Sequence, residues 1–122
     1  MRESKPLDAK ALLEDAKASE HGEAYRTLDK NLNFRIGIGV RLTSPSDPSF
    51  FVEILIYLCP SLSIVDLEAL EKSLTCLKEL QARNYSLIGQ DDNCISCETA
   101  TPAQNLSEEY AAVKSLLKAI FS

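Results

Sequence analysis

Between Leu32 and Leu42 the chain alternates strictly: Phe34, Ile36, Ile38, Val40 and Leu42 point one way, and Arg35, Gly37, Gly39 and Arg41 the other. A period of two marks a β-strand with one face in a core. Ahead of it, Ala24 to Leu28 reads as a short strand returning through the turn Asp29-Lys30-Asn31. Phe51 to Leu58 is apolar on both sides, with Val52, Ile54, Ile56 and Leu58 on one and Phe51, Leu55 and Tyr57 on the other. A strand of that kind is expected at the centre of a sheet or covered on both faces. The Pro- and Ser-rich stretch Ser44 to Ser49 between these two strands is expected to be loop, since proline cannot donate to a ladder.

Two further strands follow later, Tyr85 to Gln90 and Cys94 to Ala100, joined as a hairpin by Asp91-Asp92-Asn93. Three segments carry helical periodicity. The first, Pro6 to His21, is alanine-rich with a narrow stripe of Leu7, Leu12, Leu13 and Ala16, and ends near Gly22. The second, from Ile64 to Arg83 with Ser63 as N-cap, has one stripe of Leu67, Leu70, Leu74 and Leu77 and a neighbouring one of Ala69, Ser73, Cys76 and Leu80. Together they span about 160° of the helix, more than one contact surface requires. The expectation is that the leucine stripe faces the core and that Ala69, Ser73, Cys76 and Leu80 face a twin subunit, because small residues let helices approach closely. The third helix opens on a capping-box pattern, Asn105-Leu106-Ser107-Glu108, and shows Tyr110, Val113, Leu117 and Ile120 on one face. The order is α-β-β-β-α-β-β-α: one α+β domain over residues 1–122, an antiparallel sheet with flanking helices.

At 122 residues one core is expected, and 45% hydrophobic with 25% charged residues is ordinary globular usage. The longest apolar run, Phe50 to Pro60, is interrupted by Glu53 and is too short to span a bilayer. The first residues lead into Asp8, Lys10, Glu14 and Asp15, which is no secretory-signal pattern, so a cytoplasmic protein is expected. A net charge of −5 with scattered Lys and Arg argues against nucleic acid and anionic lipid as partners.

Candidate chemistry is sparse. Cys94-Ile-Ser-Cys97 has redox or zinc spacing, but residues three apart in a strand face opposite sides, and the chain has one histidine, His21. The four cysteines are therefore expected to be small structural side chains. Gly37-Ile-Gly39 lacks the third glycine of a dinucleotide loop and continues as strand; its glycines are expected to let something approach the sheet on the Arg35 and Arg41 side. His21 follows a helix without a nominated catalytic partner, and Asp91-Asp92 lacks the other ligands of a calcium loop. No catalytic residue, metal or cofactor is assigned.

The element order, and above all the stretch LEKSLTCLKELQARNYSLIGQDDNCISCETATPAQNLSEEYAAVKSLLKAI from Leu70 to Ile120, resembles the type III secretion chaperone fold and the YbjN-like family that shares it. The shared features are a leucine-rich helix ending near an Asn, a strand reaching a Gly, a polar turn, a strand leading to a Thr-Pro step, and an amphipathic last helix. That resemblance implies a non-enzymatic homodimer that binds a protein or peptide client, chaperone-like or regulatory. On this chain the client surface is expected on the sheet face of Arg35, Gly37, Gly39, Arg41, Phe51, Leu55 and Tyr57, where aromatic anchors beside bare backbone and two cations suit an extended peptide, an acidic one included. The alternatives are that the first or last helix packs over this face, or that the chain is a small-molecule-binding or thiol-dependent enzyme using the Gly37/Gly39 face or Cys94 and Cys97.

Overall fold

A computed structural model describes residues 9–44, 47–57, 67–90 and 94–121, apart from the side chains at positions 67 and 69. The elements are α1 (Ala9–Ala18), β1 (Glu23–Lys30), β2 (Phe34–Ser44), β3 (Asp47–Tyr57), α2 (Leu67–Ala82), β4 (Ser86–Gln90), β5 (Cys94–Ala100), a 3-10 turn (Ala103–Asn105) and α3 (Leu106–Ile120). The strands form one five-stranded sheet in the order β1-β2-β3-β5-β4, with every neighbouring pair antiparallel. The α+β order expected from the sequence is the order of the fold, and β3 is the central strand.

The sheet buries one face. Phe34, Ile36, Ile38 and Val40 from β2, Val52, Ile54 and Ile56 from β3, and Ile95 and Cys97 from β5 form a single apolar cluster with Leu12 and Ala16 of α1, Cys76 and Leu80 of α2, and Leu106, Val113 and Leu117 of α3. Residues directly opposite in register share a face of the sheet. Ile36 with Ile54, Ile38 with Val52 and Ile54 with Cys97 therefore place all three helices on the same side. No described helix lies over the opposite face, so neither α1 nor α3 covers Phe51, Leu55 and Tyr57.

Three local expectations are corrected. Strand β3 begins at Asp47 and pairs through Pro48, opposite Leu42. Its partner β5 reaches only to Phe51, so at Pro48 the strand has a single neighbour, and a missing N–H is tolerated on the other side; Pro45 and Ser46 lie outside the described residues. Asn105 precedes α3 without a side-chain capping bond, because the chain enters the helix through the preceding 3-10 turn, closed by Asn105 N–H donating to Pro102 O. The proposed N-cap Ser63 and the turn at 91–93 also lie outside the described residues.

The third correction concerns α2. Ser73, Cys76 and Leu80 are buried against this chain's own sheet, whereas Leu70 and Leu74 are 38% and 54% exposed. The expected facing is thus reversed at these positions: Ser73, Cys76 and Leu80, expected at a twin subunit, are buried in the chain's own core, while Leu70 and Leu74 are exposed. Leu77 packs partly on the core, and the side chain of Ala69 lies outside the described set.

The end of α2 is fixed by backbone geometry. Asn84 has φ 72°, a left-handed conformation that Asn tolerates better than most residues. Tyr85 N–H donates to Leu80 O at 3.0 Å and Asn84 N–H to Gln81 O at 3.0 Å, the bond pair of a Schellman motif. Beyond it Tyr85, 4% exposed, donates its hydroxyl to Glu109 of α3 at 2.8 Å, and Arg83 bonds the same carboxylate at 2.9 and 3.3 Å. Burial and the adjoining Glu109 carboxylate push the Tyr85 phenol well above its ordinary value.

The orientation of α2 is directly testable. Leu80→Ala should cost about 2–5 kcal/mol in urea unfolding, as expected for a fully buried leucine, whereas Leu74→Ala should cost well under about 1 kcal/mol.

Candidate functional site: the open face of the sheet

The uncovered face is built from the outward positions of four strands. Register places Glu23 and Tyr25 of β1 opposite Arg41 and Gly39 of β2, and Gly37 and Gly39 opposite Glu53 and Phe51 of β3. Phe51, Glu53, Leu55 and Tyr57 in turn lie opposite Ala100, Glu98, Ser96 and Cys94 of β5. The seven residues expected to bind a partner are therefore brought together on one surface, and Glu23, Tyr25, Glu53 and Glu98 join them.

The glycines are not bare. A Cβ at Gly39 would overlap the tip of the Phe51 ring, and one at Gly37 would overlap the hydroxyl end of Tyr25. Aromatic side chains from the flanking strands thus fill the space, and both glycines are buried. Each ring is then capped. The Arg41 guanidinium stands 4.0 Å from the Phe51 centroid and forks onto Glu98 at 2.7 and 3.0 Å; Arg35 stands 5.8 Å from the Tyr25 centroid with a terminal nitrogen 4.0 Å from Glu53. Two units of glycine, ring, arginine and glutamate result, arranged about Ile38 by the sequence Arg35-Ile-Gly37-Ile-Gly39-Val-Arg41.

The expectation of exposed backbone between two free cations is corrected accordingly: both arginines are engaged by carboxylates of the same sheet. The Arg41 fork is partly exposed, so it contributes about 1 kcal/mol or less, to which stacking on the ring adds a comparable amount. Burial, and then the charge of Glu53, push the Tyr25 phenol up to about 12. Between the two rings lies a recess of about 390 Å³.

The remaining candidates do not assemble into chemistry. Cys97 is buried opposite Ile54 while Cys94 lies opposite Tyr57 on the open face, so the two thiols stand on opposite sides of β5. Cys76 and Cys97 share the core, and burial raises both thiols, Cys76 to about 12, which makes them poor nucleophiles. No group of three or more metal-ligating side chains occurs among the described residues. His21 is exposed in the turn after α1, where its N–H donates to Ser19 Oγ. A second recess, of about 370 Å³, lies where α2 and β5 meet the start of α3, but Arg83 and Glu109 in its lining are already paired with each other.

Two apolar side chains that the sequence did not single out are exposed on β4. Leu87 and Ile88 on edge strand β4 are 46% and 48% exposed, on the element that follows α2 with its exposed Leu70 and Leu74. Leu87 pairs with Cys97 and so lies on the helix-covered side; the register shift between Leu87 and Gly89 is what leaves Ile88 out of the ladder.

The geometry defines an α+β domain with three helices on one face of an antiparallel sheet and a self-furnished face on the other. No helix among the described residues is long and apolar enough to cross a membrane. Comparison of the chain with protein-family models, with curated proteins and with solved structures gives no match.

Substitution of the glycines separates the two units. Gly39→Ala should destabilise by about 1–3 kcal/mol, the range for overpacking, because Phe51 is 7% exposed and confined. Gly37→Ala should cost less, since Tyr25 at the sheet edge can swing outward, and in an NMR titration the Tyr25 phenol should fall from about 12 toward its ordinary value of 10.0. The raised phenol holds its stabilising share of the fold below pH 10 and loses it as pH climbs toward 12, so Gly37→Ala should also flatten the alkaline loss of stability.

Proposed function

We propose that this chain is a non-enzymatic, cytoplasmic protein-binding module, chaperone-like or regulatory, that acts as a homodimer and holds a polypeptide client on its open sheet face. The observation that carries the proposal is the placement of uncovered apolar side chains. Leu70 and Leu74 on α2, and Leu87 and Ile88 on the following strand β4, are exposed, and β4 is an edge strand with one neighbour among the described strands. Leucines at a free edge invite association, and a second copy presents the same edge in a self-complementary way. The dimer surface is thus assigned to Leu70, Leu74, Leu87 and Ile88 in place of the buried Ser73, Cys76 and Leu80. The face of Phe51, Leu55 and Tyr57 lies on the other side of the sheet from the helices and stays free for a client. The resemblance of the element order to secretion chaperones and YbjN-like proteins points the same way.

Sedimentation velocity at micromolar concentration should give a dimer, and Leu74→Glu with Leu87→Glu should convert it to a folded monomer; a parent that sediments as a monomer overturns the dimer. Leu55→Glu should melt within a few degrees of the parent, since no described helix covers that position, yet lose the capacity to keep a reduced, alkylated reporter polypeptide in solution. A variant that keeps the reporter soluble as well as the parent does removes the client face from the proposal.

A further inference from the structure

We draw no further inference here: the strongest candidate, the outer edge of strand β1 at the exposed residues Glu23, Tyr25 and Thr27, carries nothing because nothing in the structure shows what covers it.

Discussion

A sheet covered by helices on one side only must make its other side acceptable to water without letting its strands part. Here the covered side does so by burial of β2, β3 and β5 under three helices, and the uncovered side by local stacks. Each stack takes a glycine in β2, lays an aromatic ring from a neighbouring strand in the space of the missing Cβ, and closes it with an arginine held by a glutamate from the next strand. Cation–π and exposed ion-pair contacts are each worth on the order of 1 kcal/mol or less. Two such stacks still matter against a total domain stability of about 5–15 kcal/mol. They also tie four strands together at the centre of the sheet, where slippage by one residue would exchange the buried and open faces.

The architecture was legible because its signals are periodic and local. The alternation from Phe34 to Leu42 marks its own buried face, and the two-sided apolar character of Phe51 to Tyr57 follows from its central position between β2 and β5. Where the sequence misled, competing forces were close in size. On α2 the leucines are the more apolar stripe, yet Ser73, Cys76 and Leu80 take the buried side and Leu70 and Leu74 the exposed one. At Pro48 the rule against proline in ladders yields because β5 has already ended.

The site was legible only in half. Arg35, Gly37, Gly39 and Arg41 sit on one strand, and their common face follows from spacing alone. Tyr25, Glu53 and Glu98 could not be assigned to them without the register between strands, which depends on tertiary pairing. A symmetric pattern of arginine and glycine about Ile38 was the available clue. It signals that the strand expects large partners from both sides, but not which residues supply them. The exposed leucine and isoleucine of β4 were hidden for a related reason: the register shift that leaves Ile88 outside the ladder has no mark in the sequence beyond Gly89.

The left-handed turn at Asn84 has a mechanical consequence. Only two residues, Arg83 and Asn84, separate the helix from Tyr85, and that short span is bonded back to Leu80 and Gln81, to Thr99 through the Asn84 carbonyl, and to Glu109 through Arg83. An elbow with so little slack behaves as a rigid crank. The end of α2 is thereby fastened at one point both to β5, through Thr99, and to α3, through Glu109.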